Sequence, residues 1–172
     1  MTEAVSSTTQ IYRVYIRAKA QAVWDAITRP EWTEKYGYGG RTQYDLRPGG
    51  GFRGYTSEAM RKDGAARGVE VPDLAIEGEV VEAEPPRKLV LKWHMVMDPG
   101  TAAERYTRLT YEIEEKPNGI TKLTLTHDLE GAPQLAGILS GAWEDQGAGG
   151  GWSWILSDLK SLLETGRSFS PY

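Results

Sequence analysis

The sequence predicts an α+β fold in which a curved antiparallel sheet of six or seven strands wraps around one long C-terminal helix, with two short helices after the first strand. Three observations predict it. From residue 42 to residue 128 apolar side chains recur at every second position, the period of a strand with one buried face. The interruptions are mostly short turn sequences, which join antiparallel neighbours, whereas parallel strands need long crossovers. After Gly149, Gly150 and Gly151 the spacing becomes helical and carries a broad apolar stripe.

Taken in order, residues 1–10 hold Glu3 and several Ser and Thr, without the cationic start and apolar stretch of a signal peptide. They read as a disordered leader ahead of a single domain over residues 11–172. Ile-Tyr-Arg-Val-Tyr-Ile at 11–16 alternates and is rich in β-branched and aromatic residues, a first strand. In 20–28, Val23, Trp24 and Ile27 recur at helical spacing; Pro30 breaks that helix, and a second short one carries Trp32 and Tyr36. Lys19 stands where a Ser or Asp cap is expected. Strands follow at 42–46, 51–56, 74–83, 88–95, 106–115 and 120–128. Turn chemistry joins several of them, as in Arg47-Pro48-Gly49-Gly50-Gly51, Glu84-Pro85-Pro86-Arg87 and Lys116-Pro117-Asn118-Gly119. Two connections are longer. The polar, glycine-bearing 57–73 and the mixed 129–151, with Leu135, Ile138, Leu139 and Trp143, read as loops, the second as a gate. On the last helix Trp152, Leu156, Leu159 and Leu163 form one stripe, widened by Ile155 and Leu162 and opposed by Ser153, Asp158 and Lys160; Gly166 is its C-cap.

Composition narrows the chemistry. The 172 residues carry 20 Lys and Arg against 24 Asp and Glu, a net charge of −4, and no cysteine. That removes disulfide frameworks, thiolate metal sites and a cysteine nucleophile. With no basic block and no apolar run of membrane-spanning length, neither nucleic acid nor a membrane is an expected partner, and the expected location is cytoplasmic. Only His94 and His127 supply imidazoles, and strand parity sets them on opposite faces, His127 inward and His94 outward and exposed. No metal site and no cofactor is therefore expected. The glycine runs at 49–51 and 149–151 lack the Gly-Lys-Ser/Thr ending of a phosphate loop.

A set of short motifs resembles a known family. Val23-Trp24-Asp25-Ala26-Ile27-Thr28-Arg29-Pro30, Asp45-Leu46-Arg47-Pro48-Gly49-Gly50, Gly78-Glu79-Val80-Val81-Glu82, Pro85-Pro86-Arg87-Lys88-Leu89-Val90, Leu123-Thr124-Leu125-Thr126-His127 and Gly151-Trp152 occur in the order seen in the activator of heat-shock protein 90 ATPase homologue family. That family lies within the START-like, helix-grip (SRPBCC) superfamily. The resemblance implies a helix-grip fold, a cavity between sheet and last helix, and a small apolar ligand. Three departures fall near the expected cavity mouth: Lys19, Tyr36 where a Trp often closes the second helix, and the length of 57–73.

The expected ligand wall combines inward strand positions with helix-stripe rings: Trp93, Leu109, Tyr111, His127, Trp152 and Leu156, joined by Trp32 and Trp143. Three functions are carried forward. The first is non-catalytic binding of a small hydrophobic or aromatic molecule. The second, implied by the resemblance, is a protein-interaction module related to chaperone ATPase activation, with a chaperone or a second copy as partner. The third is a cyclase-like or hydrolase-like enzyme, for which His127 is the one inward acid–base candidate; no catalytic residue is assigned.

Overall fold

The computed structural model describes residues 8–172. Alternation builds seven strands: β1 (Thr9–Ile16), β2 (Thr42–Tyr44), β3 (Gly51–Tyr55), β4 (Leu74–Glu84), β5 (Lys88–Met95), β6 (Thr107–Lys116) and β7 (Ile120–Asp128). They pair antiparallel throughout, in the order β1-β7-β6-β5-β4-β3-β2. The register aligns one inward row after another: Leu91 faces Leu109, which faces His127, and Leu89 faces Tyr111, which faces Leu125. Bulges at Val80/Glu82 and Gly54/Tyr55 help to curl the sheet. Glycine is required at position 78. A methyl there would overlap the Lys92 carbonyl and the Phe52 ring, which crosses that point to stack on Tyr44 with centroids 5.4 Å apart.

The concave face grips α6 (Gly151–Thr165), whose Trp152, Leu156, Leu159 and Leu162 are buried against it. Helix α1 (Ala20–Thr28) closes one end with Val23, Trp24 and Ile27. Its missing cap is supplied from another strand, since the Ala20 N–H donates to Glu115 of β6 at 3.0 Å. Among the described residues no helix is long and apolar enough to cross a membrane.

The structure corrects several expectations. Strand β1 begins at Thr9, so the last two residues of the expected leader are paired with β7, and residues 1–7 lie outside the described residues. Helix α2 is only Pro30–Thr33, which leaves Tyr36 in the turn beyond it. Strand β2 ends at Tyr44 and β6 begins at Thr107. The two long loops are partly helical: α3 (Glu58–Ala66) occupies the first and α5 (Pro133–Leu139) the second, and a further short helix, α4 (Pro99–Ala102), follows β5. His94 is not exposed, because Tyr106 stacks on it at 4.4 Å and its Nε2 lies 3.0 Å from the Ala102 carbonyl. Asp158, expected on the solvent face of the last helix, is fully buried.

That carboxylate is saturated. It accepts from the Gly37 N–H at 2.8 Å, the Ser168 hydroxyl at 2.6 Å and the Phe169 N–H at 2.7 Å. One side chain of α6 thus fastens both the glycine turn before β2 and the segment after the helix.

Candidate ligand-binding cavity

Strand β7 delivers His127 to the inner face, where its ring is completely buried. Trp152, in the first turn of α6, donates its indole N–H to His127 Nδ1 at 3.1 Å. An accepting Nδ1 places the ring proton on Nε2. Nε2 donates to Thr107 Oγ1 at 2.7 Å, and that hydroxyl donates to the Trp93 backbone carbonyl at 3.0 Å. Each donor meets an acceptor, and only with the neutral imidazole. Burial pushes the His127 pKa down to about 3, so the ring stays uncharged near neutral pH. His127 is a strut between helix and sheet.

Beside this strut the layers separate. A cavity of about 640 Å³ lies between the β2–β6 part of the sheet, the start of α6, and a roof formed by α3 and α5. That volume is within the usual range of small-molecule sites. The sheet contributes Tyr44, Ile76, Trp93, Met95 and Tyr111, and α6 contributes Trp152 and Ile155. The Trp152 ring stands edge-on to Tyr111 at 87° with centroids 6.4 Å apart, and tilted 51° from Trp93 at 6.1 Å. Met60, Gly64 and Val71 roof one side; Ile138, Leu139 and Trp143 roof the other. Charge is confined to the rim, where Arg67 pairs with Asp63, and Gln134 donates to Asp98 at 2.8 Å. A more open hollow of about 940 Å³ beside β2–β5 mixes charged groups, Arg53, Glu77, Glu79 and Lys92, with the rings of Tyr44, Phe52 and Tyr106.

The two roof helices are held differently. At the start of α5 the Glu104 carboxylate accepts from the Gln134 N–H at 2.7 Å and the Leu135 N–H at 3.0 Å. Toward its other end Gln10, whose side-chain oxygen accepts from the Tyr12 hydroxyl at 2.8 Å, donates to the Ala136 carbonyl at 2.9 Å. The expected gate is therefore clamped at both ends in its helical part. Helix α3 buries only Gly64; Glu58 pairs with Lys62 and Asp63 with Arg67 along its own surface, and Arg61 ties it to the sheet side by donating to the Thr56 carbonyl at 2.6 Å, just beyond β3.

Of the residues singled out from the sequence, Trp93, Tyr111, Trp143 and Trp152 line the cavity. The others do not. His127 is sealed behind Trp152, Leu109 and Leu156 belong to the packed core, and Trp32 sits under Lys35 Nζ at 4.5 Å. Sequence reasoning missed Tyr44 and Met95 on the wall; it set Tyr36 and 57–73 near the cavity mouth without foreseeing that they supply wall and roof, the latter as α3. Met95 had a usable signal, since it shares the parity of Trp93. Among the described residues no group of three or more His, Asp or Glu side chains is placed to hold a metal ion.

The profile of the family described as Activator of Hsp90 ATPase homolog 1-like protein matches residues 17–164. The chain belongs to that family. Solved structures agree on the fold of this chain. CalU16 from Micromonospora echinospora is 20% identical with a TM-score of 0.63, over 95% of this chain and 69% of its own. PFC0360w, described as an HSP90 activator from Plasmodium falciparum, is 20% identical with a TM-score of 0.60, over 91% and 96%. DynU16, described as a putative protein in the dynemicin biosynthetic locus, is 20% identical with a TM-score of 0.63; the match spans 94% of this chain but about half, 49%, of DynU16. No curated protein matches the chain.

Proposed function

We propose that this family member binds a small hydrophobic or aromatic molecule in the cavity between its sheet and α6, and does not transform it. The observation that carries this reading is an aromatic and methionine-rich cavity of about 640 Å³ whose charged groups are restricted to its rim. Apolar enclosure supplies affinity, and the few polar groups fix orientation. The absence of a catalytic role rests on His127, the nearest imidazole, whose two nitrogens are both engaged and whose ring is sealed from the cavity. A general base must reach the proton it removes.

Native mass spectrometry of the gently purified protein, combined with a thermal-shift screen of apolar aromatics, tests the proposal. Met97 also lines the cavity, and stabilising compounds should lose their effect in Met97→Trp, which fills part of the space while keeping its wall apolar. A screen without stabilising compounds, or hits indifferent to that substitution, would reject it. A second reading follows from the family and from the printed description of PFC0360w: engagement of a chaperone. Capture by purified Hsp90, unaffected by Met97→Trp, would favour that role.

A further inference from the structure

The segment that follows α6, residues 167–172, folds back along the glycine turn at 37–40 and is fastened step by step. The Ser161 hydroxyl donates to the Arg167 carbonyl at 2.8 Å, and Asp158 accepts from the Ser168 hydroxyl and the Phe169 N–H. Phe169 stands edge-on to Trp154 at 82° with centroids 5.0 Å apart, and the Ser170 hydroxyl donates to the Gly37 carbonyl. Beyond Pro171 the fastening changes in kind. The Tyr172 N–H still reaches the Ser170 hydroxyl at 3.2 Å, but its side chain makes no hydrogen bond among the described residues and meets the Tyr38 ring at 5.6 Å instead.

That ring stands at the open side of the cavity. Most lining residues are buried or half-buried; Arg67, Val69, Glu70 and Pro72 on one bank and Gly147 and Ala148 on the other are exposed, which locates the mouth between the end of α3 and the turn before α6. Tyr172 also lines the cavity and joins the banks. A methyl on Gly39 would stand 3.0 Å from the Tyr172 carbonyl carbon and 3.3 Å from the side chain of Ser57, the cap of α3; that glycine, at φ +69°, lets the segment lie against the turn. On the far bank Arg67, whose pKa is held above its ordinary value first by Asp63, also feels Tyr172.

We propose that residues 167–172 are a strap that holds Tyr172 across the open side of the cavity, and that rotation of this one ring away from Tyr38 opens the path by which molecules enter and leave. The strap serves the binding function proposed above and adds its control. Its anchors at Ser168, Phe169 and Ser170 stay in place, so opening leaves the packing of α6 intact. What must break is one ring pair, which favours the closed arrangement by about fivefold. A closure of this kind sets exchange rates.

The chain has no cysteine, so one introduced thiol reports access. In Met95→Cys the thiol would line the cavity from β5, and in Ser153→Cys it would sit on the exposed side of α6. Alkylation of Met95→Cys by N-ethylmaleimide should become about fivefold faster when Tyr172→Gly is added and stay slow with Tyr172→Phe, which keeps the ring. Ser153→Cys should react at one rate in all three backgrounds, with the urea midpoint unmoved. An unchanged Met95→Cys rate in Tyr172→Gly, or an equal acceleration at both thiols, would overturn the strap. No ligand enters this assay. A gated thiol in a protein that no apolar compound stabilises would reject the binding reading and keep the strap, and an ungated thiol in a protein that binds such compounds would do the reverse.

Discussion

At His127, burial has converted a side chain usually suited to acid–base work into a brace. Its inward direction follows from strand parity alone, but the sequence does not show that Trp152 and Thr107 would take both nitrogens, because those partners lie 25 and 20 residues away. The consequence is measurable. The unfolded chain takes up a proton near the ordinary histidine value of 6.5, whereas the folded ring resists protonation until about pH 3. Acid therefore favours the unfolded state: the stabilisation is complete above pH 6.5 and falls by about 1.4 kcal/mol per unit as the pH drops toward 3. Urea denaturation should show a loss of about 2 kcal/mol between pH 7 and pH 5 that is missing in His127→Gln. Parallel pH profiles for the two proteins would disprove the sealed, neutral ring.

Among the elements, α6 was the most legible because its apolar stripe is long, yet the stripe misled about Asp158. A carboxylate on a polar helical face ordinarily points to water; here residues distant in the chain, Gly37 and the 168–169 segment, supply the donors that bury it. Asp158→Ala leaves two backbone N–H groups without their acceptor and should destabilise the fold by about 3 kcal/mol in urea titration, with faster amide exchange at Gly37 and Phe169. The three helices missed from the sequence are short and lack a repeating stripe. Their starts were nonetheless written locally: Ser57 caps α3 by accepting from the Met60 N–H at 3.1 Å, Asp98-Pro99 opens α4, and Pro133 opens α5. The unequal fastening of the roof makes a further prediction. Amide hydrogen exchange should be faster in α3 than in α5, and a bound cavity ligand should slow α3 more. Equal protection of both helices before ligand addition would contradict it.

For the whole molecule, alternation and turn chemistry were sufficient to foresee a gripping sheet, since each strand reports its own buried face. The cavity was less legible because its wall is assembled from β2, the turn after α2, and a roof inserted between strands, none of which sorts by the parity of β5 and β6. If that space is the binding site, occupancy by a ligand at a hundredfold excess over its Kd should raise global stability by about 2.7 kcal/mol and move the urea midpoint upward as ligand is added. A midpoint that does not depend on ligand concentration would exclude it. The strand order has one more consequence. The first strand is hydrogen-bonded to the last, with Ile16 opposite Thr121. During synthesis the ribosome must add about 100 residues between those partners, roughly 5–20 s of translation. For that time the leading edge of the nascent protein waits with its backbone unmatched, and the barrel-like wrap can be fastened only once synthesis has passed Asp128 of the 172 residues.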